Sequence, residues 1–179
     1  PYFNPYKNNN GQYYLRSFFP YLDSIPKILR LFWHVFNIFN IFNAFKVYNI
    51  LKKEKVDAVL SHNMMGIGLI SLLFFSSKTI NIHTLHDISL LHPSGLLFLN
   101  KEKKINTTLA KIYQNICKIF FKKNTIIFSP SEWLLSLYKR KGFFKNNKTI
   151  VQANPILRKV DSKKRPCQKE ILFVGLLSK

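Results

Sequence analysis

Two of the chain's histidines close apolar runs with a polar residue beside them: VDAVLSHN ends on His62 and Asn63, and KTINIHTLHD ends on His86 and Asp87. An imidazole can donate or accept a hydrogen bond and can carry a proton near neutral pH, so such positions suit binding and proton-handling chemistry. Both runs, from Val56 to Leu60 and from Thr79 to Ile82, lack clean polar alternation, as strands buried on both faces do. Ligands of open parallel sheets gather at the carboxyl ends of such strands, so His62 and His86 are expected to face one cleft.

Other chemistries fit the residues less well. His83 and His86 form an H-x-x-H string, but in an extended strand positions i and i+3 point to opposite faces and do not chelate one ion. A zinc site from His62, His86, Asp87 and His92 requires three loops to converge, so no metal is expected. Ser61 precedes His62, yet no G-x-S-x-G elbow surrounds any serine, and no G-x-x-x-x-G-K loop is present. Without further context, His86-Asp87 also fits an aspartate capping a turn beside a histidine bonded to backbone.

The elements that must position these residues read as alternating helices and strands. PYFNPYKNNNGQYY reads as an irregular loop, and a helical pattern runs from about Pro26 to Lys55. Its polar residues His34, Asn37, Asn40, Asn43, Lys46 and Asn49 recur every third position. Such a stripe walks around a helix and implies a kink, a break into two helices or burial on several sides. His34 reads as a surface or interface side chain, and the Phe-rich run from Phe32 to Phe45 as core. The strand Val56 to Ser61, a loop, an apolar helix from Ile67 to Phe75 and the strand Thr79 to Thr84 make a βαβ unit. Gly66 and Gly68 open its helix.

After a long loop, a basic helix is expected from about Asn106 to Lys123, then a strand from Thr125 to Phe128. A helix follows, with Ser131 as N-cap and Glu132 at the positive end of its dipole, and it stops at Gly142. A strand from Thr149 to Gln152 ends at Asn154-Pro155. Residues 158–169 are polar, basic and aperiodic, a linker by composition. Residues 170–179 open a second α/β unit, so the chain reads as cut at both ends.

The formal charge of +20 from 28 basic residues invites an anionic partner. Arginine is confined to Arg16, Arg30, Arg140, Arg158 and Arg165, which argues against nucleic acid, because phosphate and base recognition favour the guanidinium fork. Lysine excess beside abundant Asn, Ile and Phe reads instead as codon bias toward A and T. Val56 to Asn100 carries only Asp57, Lys78 and Asp87, so the cleft is nearly neutral. The lysines from Lys101 to Lys123 and from Lys139 to Lys148 are expected to form one face beside it, suited to an anionic bilayer. The apolar stretches Leu31 to Phe45 and Met64 to Ser77 fall short of the ~20 residues a bilayer crossing requires. Cys117 and Cys167 show no metal or redox spacing, consistent with reduced thiols in a cytoplasmic compartment.

In order, the pieces VLSHN, TLHD followed by LLHPSG, FSPSEWLLSLYKRKGF, ANPI, a linker and ILFVGLLSK resemble the retaining GT-B glycosyltransferases often called glycosyltransferase group 1 or family 4. The similarity runs from about Val56 onward. It implies an α/β fold: a Rossmann-like parallel sheet with flanking helices over residues 1–157, lacking its first strand, and the first strand of a second Rossmann-like domain. By this resemblance His86 and Asp87 are the catalytic His-Asp, where the histidine bonds the transferred sugar. His62, Asn63, Gly66, His92 and Ser94 belong to the acceptor side, and Ser129, Ser131 and Glu132 border the cleft. Gly175 belongs to the donor side. His92 stands near where relatives often carry Cys-Pro, and Leu176 where they carry a phosphate-binding arginine.

The resemblance further implies sugar transfer from a nucleotide-sugar donor to a glycan or lipid-linked acceptor, with retention and no cofactor or metal. The enzyme would serve cell-surface glycan or polysaccharide synthesis, in the cytoplasm or at the inner face of the membrane. With so little of the donor half present, the 179-residue piece is expected to be inactive alone. The rival readings are a nucleotide-sugar epimerase of the same architecture, which requires a carboxylate pair this chain does not show, and a basic membrane- or polyanion-binding module.

Overall fold

A computed structural model describes residues 6–7, 13–14, 26–75, 79–97, 100, 102–121 and 125–154. The linker 158–169, the unit beginning at 170 and Gly175 lie outside the described residues. Within the opening stretch, read as an irregular loop, β1 (Tyr6–Lys7) pairs antiparallel with β2 (Tyr13–Tyr14).

The α/β expectation holds at the level of the sheet. Four strands, β3 (Ala58–Ser61), β4 (Ile80–Thr84), β5 (Thr125–Ser129) and β6 (Thr149–Val151), lie parallel in the order β3-β4-β5-β6. Burial is deepest on β5, whose Thr125, Ile127 and Ser129 are all buried. It is shallowest at the β3 end, where Leu60 and Ile80 are each 56% exposed. Helices α3 (Thr108–Ile119) and α4 (Glu132–Arg140) supply much of the core, including Cys117, Leu134, Leu135, Leu137 and Tyr138. Burial of a side chain such as Leu135 stabilises the fold by about 1.5–3 kcal/mol.

The long N-terminal helical pattern breaks into α1 (Lys27–Ile38) and α2 (Ile41–Glu54). Asn40 explains the break. Its side chain accepts a bond from the Asn43 N–H at 3.0 Å, capping a new helix rather than continuing the old one. The break also turns the every-third-residue asparagines inward as a group. Asn37 Oδ1 accepts from the Gly66 N–H at 2.6 Å, and the Asn43 and Asn40 amides donate to the Gly66 carbonyl at 2.7 and 3.4 Å. Three side chains from the corner of two helices thus satisfy both backbone groups of one buried residue in the loop after β3.

One expected helix differs in kind from the structure. The α-helix read from Ile67 to Phe75 is a 3₁₀ segment, Leu69–Phe74, entered through Gly68. Its first turn closes by the Ser71 N–H donating to the Gly68 carbonyl, the three-residue bond of a 3₁₀ helix. The basic helix expected from about Asn106 to Lys123 is α3, begun where Thr107 accepts from the Ala110 N–H and preceded by a 3₁₀ turn, Glu102–Asn106. Ser131 caps α4 as expected, accepting from the Leu134 N–H at 3.2 Å. The helix ends in a Schellman pattern: the Phe143 N–H donates to the Tyr138 carbonyl, the Gly142 N–H donates to the Lys139 carbonyl, and Phe143 stacks edge-on against Tyr138 at 5.3 Å.

Of the lysines expected to form one face beside the cleft, Lys104 lies near His92, while a second group lies elsewhere. Lys118, Lys141 and Lys145 gather where α3 and α4 end, next to Asn147, whose amide donates to the carbonyl of Thr125 at the start of β5. That is the amino-terminal edge of the sheet, opposite the strand ends that carry the histidines. Lysines in the last turns of helices complement the helix dipole, which brings them there.

Gly68 sits at φ +95°, and an added Cβ would lie 2.8 Å from the Asn37 carbonyl and 2.9 Å from Asn40 Cβ. Close approach of the α1–α2 corner therefore depends on a residue with no side chain. Gly68→Ala is expected to cost about 3 kcal/mol in urea unfolding, from backbone strain plus the clash. A loss below ~1 kcal/mol would show that the corner gives way freely.

Candidate functional site

At the carboxyl edge of the sheet the loops after β3 and β4 meet. His62 Nδ1 lies 2.7 Å from His86 Nε2, with ring centroids 5.0 Å apart and planes 30° off parallel. Both side chains are exposed. One imidazole donates and the other accepts. Whichever tautomers are present in the neutral pair, the two ring nitrogens outside this bond are one donor and one acceptor. A hydroxyl, which both donates and accepts, satisfies that combination.

His83 is buried where His86 is exposed, although both line the crevice with Asn63 and Asp87. It is buried, directly beside Ser61 in the β3–β4 register, with Nδ1 2.9 Å from Ser61 Oγ and its ring edge-on to Phe121. Ser61 donates its hydroxyl proton to the Ile82 carbonyl at 3.0 Å, so Nδ1 of His83 carries the hydrogen and donates to Oγ. Burial pushes the pKa of His83 down to about 4, and the positive forms of His62 and His86 push in the same direction.

Asp87 shapes the loop. Its Oδ1 accepts from the Ser89 N–H at 2.8 Å, an Asx turn. Oδ2 lies under the turn His92–Gly95, where Gly95 has φ +68° and an added Cβ would stand 3.1 Å from that oxygen. The glycine lets the LHPSG turn lie directly over the carboxylate. The Asp87 carbonyl accepts from Tyr138 Oη at 2.9 Å, and the same hydroxyl accepts from the Leu90 N–H at 3.3 Å. Tyr113 Oη donates to the Ser89 carbonyl at 2.8 Å, and the Gln114 amide donates to the carbonyls of Leu91 and Ile105 at 3.0 and 2.8 Å. Burial holds both tyrosines protonated and pushes the Cys117 thiol up to about 12, which leaves that cysteine an inert core residue.

The other residues singled out from the sequence take distinct places. Asn63 accepts from the Met65 N–H and lines the crevice between the two loops with Met64, Leu69, Ser89 and Leu90. Gly66 is buried with both backbone groups engaged, so its part is to hold the loop. His92 Nδ1 and Ser94 Oγ are 2.8 Å apart on the rim. Ser129 is buried at the end of β5, donating to the Ser131 carbonyl; Ser131 caps α4, and Glu132 is exposed on its first turn. Among the described residues no group of three or more His, Cys, Asp and Glu side chains is arranged to hold a metal ion.

Sequence reasoning missed His34. It stands on the crevice wall formed with Asn37, Asn63 and Tyr113, and its pKa is lowered by burial and by His92 nearby. Its place in the every-third-residue stripe with Asn37, Asn40 and Asn43 was the available signal. The anchors Tyr113, Gln114 and Tyr138 carry no sequence signal beyond helical spacing.

No family model, curated protein or solved structure among those compared matches this chain. Its chemistry must be inferred from the cleft. Among the described residues no helix is long and apolar enough to cross a membrane.

The depressed His83 makes acid stability a direct test. A histidine neutral in the fold and protonated in the unfolded chain contributes stability present above the unfolded pKa, which is lost as pH falls through the window from about 6.5 to about 4. The expected loss is ~3 kcal/mol in denaturant unfolding. His83→Gln should flatten the pH dependence across that window. Parallel curves for the two proteins would assign the acid sensitivity to another group.

Proposed function

We propose that this chain is the acceptor-side half of a GT-B glycosyltransferase, which with a donor-binding half moves a sugar from a nucleotide donor to an acceptor hydroxyl with retention. The observation that carries the reading is the His62–His86 pair, exposed just beyond the carboxyl ends of adjacent parallel strands, whose remaining ring nitrogens are one donor and one acceptor. That is the complement of a sugar hydroxyl. The near-neutral cleft also suits an uncharged sugar better than a phosphate, consistent with an acceptor rather than a donor-phosphate site.

The residues divide the work. His86 bonds a hydroxyl of the transferred sugar and fixes the reacting centre. His62 sets the orientation and tautomer of His86 through their shared hydrogen bond. Asp87 orders the backbone between β4 and the LHPSG turn, so that His86 enters the cleft at one position. The contribution of these groups is positional and electrostatic, through alignment of the acceptor with the anomeric carbon and stabilisation of charge as the glycosidic bond breaks. Asn63 and His34 line the space through which an acceptor approaches, with His92 near His34.

In the enzyme that carries both halves, His86→Ala is expected to lower transfer at least ~100-fold with the circular-dichroism spectrum unchanged, as loss of an aligned polar group at a reacting centre does. The 179-residue chain alone is expected to give no turnover with a panel of nucleotide sugars. Near-normal transfer by His86→Ala would make the histidine structural. Transfer by the chain alone would overturn the division into two halves.

A further inference from the structure

We infer that the outer face of α1 and α2 docks on an anionic lipid bilayer and so brings the histidine cleft to the membrane surface. The inner side of the α1–α2 corner is committed to Gly66 through Asn37, Asn40 and Asn43. The outer side is apolar and open. Leu29, Phe32 and Phe36 recur along α1, Phe39 lies at the corner, and Ile41, Phe42 and Phe45 continue on α2, all exposed, with Phe36 at 75% and Phe42 at 79%. A continuous aromatic and aliphatic surface of this kind marks an interaction site rather than ordinary scatter.

Charge selects the occupant. Along the two helices Glu54, the last residue of α2, is the one carboxylate, against the basic Lys27, Arg30, Lys46, Lys52 and Lys53, with Lys55 just beyond. Phenylalanine and leucine on one face with lysine beside them is the composition of a helix that lies in a bilayer interface, where apolar burial and attraction to anionic headgroups act together. A second copy of the chain fits poorly, because two molecules of charge +20 would be pressed together. Nucleic acid fits poorly as well, since Arg30 is the single arginine on these helices.

Position gives the docking its meaning. Asn37, Asn40 and Asn43 bond Gly66 in the loop that follows β3 and His62, so the α1–α2 corner lies beside that loop, while the Phe39 ring reaches Phe120 at the end of α3. A bilayer on that face would present lipid-linked hydroxyls at the mouth of the cleft. This consequence rests on the transferase reading, whereas the docking itself does not.

Flotation of the full chain with vesicles of phosphatidylcholine, or of a phosphatidylcholine and phosphatidylglycerol mixture, tests the inference without any sugar present. Recovery is expected to be at least ~10-fold higher with the anionic mixture and to fall as salt is added. The double variant Phe36→Ser and Phe42→Ser should lose at least ~10-fold of that binding, with its melting temperature unchanged because both rings are exposed. Equal recovery with neutral and anionic vesicles, or none with either, overturns the proposal. So does a lowered melting temperature in the double variant, which would show that the chain itself covers the face. Self-association or RNA binding abolished by the same substitutions would assign the face to those partners and also overturn it. His86→Ala should float like the parent chain, so a failure of the transferase reading stays separate from a failure of docking.

Discussion

A phenol hydroxyl buried in an apolar core must find partners, and Tyr138 finds them in the loop that carries His86 and Asp87. Its ring is fully buried between Phe143 and Phe144, and its oxygen is fixed between the Asp87 carbonyl and the Leu90 N–H. Leaving either backbone group buried and unbonded would cost about 1–3 kcal/mol, so the loop follows the tyrosine. Tyr113 and Gln114 of α3 extend the same logic to Ser89 and Leu91. On the other side of the cleft, the asparagines of α1 and α2 do the same for Gly66. The strands aim the loops, and the helices hold them still.

Much of the sheet was legible because its strands are apolar runs closed by polar or turn-forming residues. β3, β4, β5 and β6 each fall within a residue or two of the sequence reading, and the Ser131 cap announced α4. The juxtaposition of His62 with His86 followed from one geometric rule about parallel strands. The helices before α4 were less legible. Asn40 serves equally as a polar helix-surface residue and as a cap, and only the tertiary contact with Gly66 decides between them. The segment after Gly68 has the composition of a buried α-helix, and composition does not distinguish that from the 3₁₀ helix it forms.

The site resisted reading where its residues are held by distant helices. Tyr138 lies 51 residues from the carbonyl it bonds, and no local pattern encodes that distance. His34 was read as a surface or interface side chain; it stands half-buried on the crevice wall beside Asn37. The lysines were misplaced in part. Their number suggested a surface, but Lys118, Lys141 and Lys145 gather at the far edge where α3 and α4 end, apart from Lys104, which lies near His92.

The buried bond between Ser61 and His83 has a consequence for the cleft above it. These residues are direct partners across β3 and β4, and the sheet face near them is thinly covered at Leu60 and Ile80, so hydrophobic contact alone holds this edge strand weakly. A slip of one residue would move β3 by about 3.3 Å and turn Ser61 to the other face. That displacement exceeds the 2.7 Å between His62 and His86. A polar pair sealed in the interior therefore acts as a ratchet tooth for the sheet, and the alignment of the exposed histidines is inherited from it.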